Sequence, residues 1–166
     1  ESVNRIMSVA VVHEFLSCNN ASVIDVHEVA QRIVDQMTQS LVDPGKKIRF
    51  ELQGTSVYLS SQQATACALV VNELLQNAVE HGYQDRDDGL VTVQLTDDGE
   101  WVTIIVGDDG SGLPEDFDLA EDGGLGLRIV RSLVQGDLKG RFEIKGERGV
   151  KAIVAFPKTP LGGSKN

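Results

Sequence analysis

The sequence predicts an α/β fold in which helices cover one face of a mixed or antiparallel sheet. Three observations lead there. Several segments alternate apolar and polar residues, as strands with one buried face do. Others repeat apolar residues every three or four positions, as amphipathic helices do. Turn-forming Asp, Gly and Pro separate the runs. A chain of 166 residues with 41% apolar side chains fits one domain with its own core.

The elements follow in order. Residues 1–17 read as a helix end, with Val3, Ile6, Ala10 and His13 at helical spacing. The polar stretch 17–22 breaks that pattern. A second helix starts near Asp25, an N-cap with Glu28 three residues on, and carries Val26, Val29, Ile33, Met37 and Leu41 on one face. Asp43-Pro44-Gly45 stops it. Ile48, Phe50 and Leu52 alternate as a strand, and residues 57–59 form a short second one. Ser60 and Gln63 make a capping box for a helix that runs to about His81, with Gly82 as its C-cap. Val91, Val93 and Leu95 alternate, Asp97-Asp98-Gly99 turns the chain, and residues 101–106 return as the hairpin partner. Residues 107–124 are rich in Gly and Asp and read as loops. Residues 125–133 are helical, and residues 141–145 and 150–156 are two final strands around a Gly-containing turn. The tail from 158 reads as disordered.

Net charge is −10, and no long basic run interrupts it. That argues against a nucleic-acid surface, which needs clustered Lys and Arg. A nucleotide needs only one local electropositive spot or a metal ion, so it stays open. Cys67 falls in an apolar helical pattern and reads as a small core residue, whereas Cys18 lies in a polar turn. Neither has metal-site or CxxC spacing, and a reducing compartment is the expectation. No signal peptide or membrane span is evident.

Three segments carry chemistry. Glu73, Asn77 and His81 lie four apart, on one polar face of an otherwise apolar helix. Asn77 can offer an oxygen to Mg²⁺, and Glu73 can orient or deprotonate a nucleophile. The same spacing suits a solvated helix face, and spacing alone does not choose. Asp108, at a strand end before Gly110 and Gly112, can accept a hydrogen bond from an exocyclic amine such as that of adenine. A tight acidic turn is the plainer reading. Gly123-Gly124-Leu125-Gly126-Leu127-Arg128 opens a helix whose backbone N–H groups can face phosphates, or is a flexible linker before a core helix. It is neither a Walker A motif nor a dinucleotide fingerprint.

Taken together and in this order, the blocks resemble the ATPase superfamily of gyrase, Hsp90, histidine kinases and MutL. The N box resembles Asn72-Glu73-Leu74-Leu75-Gln76-Asn77-Ala78. The first Gly box resembles Asp108-Asp109-Gly110-Ser111-Gly112, the second Gly124-Leu125-Gly126-Leu127, and the turn Gly146-Glu147-Arg148-Gly149 resembles the last Gly block. The likeness spans residues 25–157. Within the superfamily it is most similar to sensor histidine kinases of the HisKA_2 type, on Leu113-Pro114-Glu115-Asp116-Phe117 and on the opening residues 5–16.

The resemblance implies a two-layer α/β sandwich of the Bergerat type, with about three covering helices and a lid at 115–125. Residues 1–20 would be the end of a helical dimerisation and phosphoacceptor region, 21–157 the ATP-binding catalytic domain, and 158–166 the tail. It implies ATP and Mg²⁺ as ligands. Asn77 would hold the metal, Glu73 would assist the acceptor, and Asp108 would read adenine. Gly110 and Gly112 would line the base pocket. Gly124, Leu125 and Gly126 would approach the phosphates, with Arg128 or His81 supplying positive charge. Implied partners are a response-regulator receiver domain, the phosphoacceptor helix of the same protein, and a second copy that covers the apolar face of the opening helix. Localisation would be cytoplasmic, as a whole or as part of a larger sensor.

This sequence departs from the family pattern in three ways. Glu80 stands where a basic residue is frequent, Asp109 stands where Asn is commonest, and the usual phosphoacceptor motif is absent. His13 reads as a packed or capping histidine, with the acceptor upstream. An anti-sigma-factor serine kinase shares the fold and resembles residues 77–83, and Glu80 suits it better. A non-enzymatic binding module of the same fold is the other alternative.

Overall fold

The computed structural model describes residues 10, 13–14, 23–40, 45–83, 87–114, 116–118, 124–146 and 148–160. Its elements are β1 (Val23–Asp25), α1 (Val26–Ser40), β2 (Lys47–Gly54), β3 (Tyr58–Ser60), α2 (Ser61–Gly82), β4 (Asp88–Asp97), β5 (Trp101–Asp108) and α3 (Gly124–Ser132). A π-helical turn (Leu133–Asp137), β6 (Arg141–Lys145) and β7 (Lys151–Pro157) complete the chain.

The main sheet has the order β2-β4-β5-β7-β6. It is mixed: β2 pairs in parallel with β4, and every other neighbour is antiparallel. Alternation along the strands sorts their side chains into two faces. Val91, Val93 and Leu95 of β4, Val102, Ile104 and Val106 of β5, and Val154 and Phe156 of β7 are all buried. They form the sheet's half of the core, while α1, α2 and α3 supply the other half through Val29, Ile33, Val71, Leu75 and Val130. This is the two-layer α/β sandwich expected, with three helices over a mixed sheet.

The capping signals turn out to do more than cap. Asp25 Oδ1 accepts from the amide of His27 at 3.0 Å, as an N-cap does, and from the amide of Val57 at 3.2 Å. The second bond helps draw β1 onto β3, so Asp25 is also a strand residue. Strand β1 has no counterpart in the sequence pattern, because three residues are too few to show a period of two. Ser60 Oγ accepts from the amide of Gln63, completing half of the expected capping box. The Gln63 side chain goes elsewhere: its amide donates to the carbonyl of Pro157 at 3.1 Å and accepts from the amide of Thr159 at 3.1 Å. Those bonds tether the chain beyond β7, and Lys158 pairs with Asp97 at 2.7 Å. Through these contacts residues 157–159 are fastened to α2 and to β4.

Gly82 is corrected from C-cap to last helical residue, and the cap is Tyr83. Gly82 is small because the 108–112 loop presses on it: its carbonyl accepts from the amide of Ser111 at 2.9 Å. Cys67 is fully buried as expected, and burial pushes its thiol pKa up. Of the opening helix, Ala10, His13 and Glu14 are helical. His13 is exposed rather than packed, and its neighbour Glu14 pairs with Arg32 of α1 at 2.6 Å. The rest of that helix, together with Cys18 and much of the lid, lies outside the described residues.

Candidate functional site

A cavity of about 570 Å³ opens where the C-terminal half of α2 faces β5, β6 and β7. Leu74 and Ala78 of α2 and Leu127 of α3 form its helical wall, and Val106, Ile144 and Ala152 form its sheet wall. Leu113 and Phe117 lie at the lid side. The lining is mainly apolar, with polar groups at only a few points, which suits a flat heterocycle carrying a polar tail.

Those polar points are largely the residues singled out by spacing. Asn77, His81, Asp108 and Gly112 all line the cavity. Asn77 and His81 reach it because they share the α2 face with Leu74 and Ala78. Asp108 reaches it because β5 ends there and the chain then turns on glycine.

Asp108 is the best-fixed of them. Its Oδ1 accepts from the amide of Gly110 at 2.9 Å and from the amide of Val150 at 3.3 Å. Its own amide donates to the carbonyl of Val150 at 2.9 Å. Among the described residues, Oδ2 accepts no hydrogen bond. Burial raises the carboxyl pKa, against the lowering effect of the two amides. The result is a half-buried carboxylate with one oxygen held and the other unspent.

Gly110 makes this geometry. A Cβ there would lie 2.2 Å from the carbonyl oxygen of Gly82, so no other residue lets the loop close on α2. Gly126 plays a comparable part at the opposite end. A Cβ there would meet Glu73 Oε1 at 3.0 Å and Asn77 Oδ1 at 3.4 Å, so α3 lies directly on the polar face of α2.

Other expected site residues stand apart from the cavity. Glu73 is only 2% exposed and sits under Gly126 rather than on the cavity surface. Leu125 is 55% exposed, no atom of the described residues lies within 4 Å of a Cβ on Gly124, and Arg128 is exposed. Of the two cationic candidates proposed to offset Glu80, His81 lines the cavity and Arg128 does not.

Sequence reasoning assigned no role to Val150, whose amide holds Asp108, or to Tyr83, whose hydroxyl meets Asp109 at 2.6 Å. The first could have been found, because the turn at 146–149 resembles the last Gly block. The second had no signal, because a helix-terminal tyrosine looks like any core aromatic.

The comparisons with known proteins agree with this geometry. The model of the histidine kinase-like ATPase domain matches residues 46–136. The sensor histidine kinase PdtaS of Mycobacterium tuberculosis is 36% identical over 160 residues, 95% of this chain and 32% of the relative. The chain thus spans about a third of that relative's length. The histidine kinase domain of a blue-light-activated histidine kinase from Erythrobacter litoralis superposes with a TM-score of 0.84 at 28% identity, covering 94% of this chain and 78% of that one. An anti-sigma F factor of Clostridium novyi is 39% identical over 54 residues, 32% of this chain and 38% of the relative. With a family model over more than half its residues and a solved histidine kinase domain of similar fold, the chain belongs to the histidine kinase-like ATPase domain family.

Proposed function

We propose that this chain binds ATP with Mg²⁺ in the cavity and directs the γ-phosphoryl group to a histidine in two-component signalling. One observation carries the reading: Asp108, whose Oδ2 accepts no hydrogen bond among the described residues, lines an apolar cavity large enough for a nucleoside, together with Asn77 and His81. An adenine exocyclic amine is the donor that oxygen fits. The apolar walls take the two faces of the base, and the triphosphate runs toward Asn77 and the start of α3.

Asn77 suits Mg²⁺ because its side chain carries a neutral amide oxygen, a hard donor, and the residue lines the cavity. When bound, the metal offsets phosphate charge during transfer. The chain's own residues position and shield. Asp108 fixes the base, Asn77 and His81 face the polar tail, and the backbone at Gly124, Leu125 and Gly126 offers amides to the phosphates, with Arg128 on the same helix. Glu73 is assigned to assist the acceptor. In the transfer, the P–O bond to ADP breaks, the electron pair leaves with ADP, and a P–N bond forms to a neutral imidazole nitrogen.

The acceptor histidine is placed upstream on a helix of the same protein, and the next recipient is a receiver-domain aspartate. A homodimer through the opening helix and a cytoplasmic location belong to the same reading. PdtaS, a sensor histidine kinase by name, matches 95% of this chain, against 32% for the anti-sigma F factor. That breadth favours histidine over serine as acceptor.

The test is calorimetric titration with ATP and Mg²⁺ on the wild type beside Asn77→Ala and Asp108→Ala. Binding by the wild type and marked weakening in both variants is the expected result. A folded wild type that does not bind would move the non-enzymatic binding module to first place. Acid lability of the phosphorylated product then separates phosphohistidine from phosphoserine.

A further inference from the structure

Just beyond the adenine-reading carboxylate is a second polar cluster that the spacing of the motifs did not reveal. Tyr83 is 1% exposed, and its ring lies so close to β4 that a Cβ on Gly89 would overlap it. Its hydroxyl lies 2.6 Å from Asp109 Oδ1 and 2.9 Å from the carbonyl of Leu90, and it accepts from the amide of Asp109 at 3.2 Å. Asp109 Oδ1 also accepts from the amide of Leu90 at 3.1 Å. The hydroxyl therefore ties the end of α2, the start of β4 and the first residue after Asp108 into one knot.

That knot acts at one peptide's remove from the base. Tyr83 holds the amide of Asp109, and the next amide, that of Gly110, holds Asp108 Oδ1. The direction of the free Oδ2 depends on that second bond. Gly82 and Ser111 close the same loop from its other side, through the Gly82 carbonyl.

We infer that Tyr83 is a specificity-determining positioning residue: its hydroxyl, through Asp109, aims the Asp108 carboxylate and so sets the preference for adenine over guanine. The inference rests on the assignment of Asp108 as the adenine reader. A merely structural tyrosine would affect all nucleotides alike, whereas a misaimed carboxylate loses ATP selectively, because guanine presents a carbonyl where adenine presents its amine. Asp109 in place of the more frequent Asn fits the same role, since only its acceptor oxygen is used in these bonds.

The experiment compares dissociation constants for ATP and GTP in wild type, Tyr83→Phe, Asp109→Ala, Asp109→Asn and Asp108→Asn, each with a melting temperature. Tyr83→Phe keeps the buried ring and removes only the hydroxyl. It should lower the ATP-over-GTP preference about tenfold, the worth of one well-placed hydrogen bond. Asp109→Ala should do the same, and Asp109→Asn should keep the preference within about twofold because its amide oxygen still accepts. If Tyr83→Phe and Asp109→Ala lower the melting temperature yet leave the preference intact while Asp108→Asn abolishes it, the role of Tyr83 is overturned and the base assignment survives. If Asp108→Asn leaves the preference intact, the base assignment fails and the inference falls with it.

Discussion

The two ends of the cavity are built differently. At the base end, Asp108 is held by two amides, Gly110 presses on Gly82, and Tyr83 locks Asp109. At the end proposed for the phosphates, Asn77 lies beside Gly126 of α3, and Gly124, Leu125 and Arg128 are exposed. The first end is closed by packed loops, whereas at the second only part of α3 packs on α2, at Gly126, and its first residues stay exposed. In the proposed reading the difference separates recognition from transfer: the heterocycle would meet a preorganised wall, and the triphosphate would meet the exposed start of α3. It also explains why Gly126 rather than Gly124 shows a steric requirement, since only Gly126 touches α2 in this arrangement.

The contrast can be broken most forcefully at the phosphate end. Asn77→Ala should weaken Mg²⁺-dependent ATP binding by about 10²-fold, and ATP binding in a chelator should change far less. Equal losses in both conditions would place Asn77 on the base instead. At the base end, Gly110→Ala forces a shift against the Gly82 carbonyl and should cost about 2 kcal/mol of stability, read by denaturant titration, as well as nucleotide affinity. Gly124→Ala, by contrast, meets no atom of the described residues, so its expected loss comes from the positive φ of 68°.

Two remote changes sharpen the comparison by leaving both ends intact. Lys158 holds the Asp97 carboxyl below its ordinary range through their 2.7 Å contact. A carboxylate with a lowered folded pKa contributes stability above its unfolded pKa and loses it as pH falls through the folded value. Lys158→Met should therefore cost about 1 kcal/mol at neutral pH, and the gap in melting temperature should close in acid. Arg141 stacks over the Trp101 ring at 5.3 Å, on a surface far from the cavity. Arg141→Ala should cost about 0.5 kcal/mol and leave ATP affinity unchanged.

Much of this was legible from the chain alone, for physical reasons. Strand alternation at Val91, Val93 and Leu95 and helical spacing of Glu73, Asn77 and His81 are local, so sequence displays them directly. Asp108 was legible because a carboxylate followed by glycines at a strand end is a local signal too. What stayed hidden depends on tertiary approach. Gly82 looked like a helix stop, yet its small size serves the incoming loop at Gly110. Gln63 looked like half of a capping box, yet its side chain meets Pro157 and Thr159 across the fold. The hydroxyl of Tyr83 found its partner 26 positions away, which no short pattern encodes. Spacing puts Glu73 on a polar helix face, and its burial under Gly126 comes from the seating of α3, a contact between segments far apart in the chain.

The central claim is that the Asp108 carboxyl is kept half-buried for recognition and not for stability. Burial raises its pKa, so ionisation opposes folding at neutral pH, and the cost shrinks as pH falls through the folded value. Asp108→Asn keeps an oxygen for the amides of Gly110 and Val150 but presents a donor to the base. The decisive measurement is ATP affinity and melting temperature of that variant at neutral pH. The account predicts affinity weakened by about 30-fold with a melting temperature equal to or above that of the wild type. Unchanged affinity would contradict it.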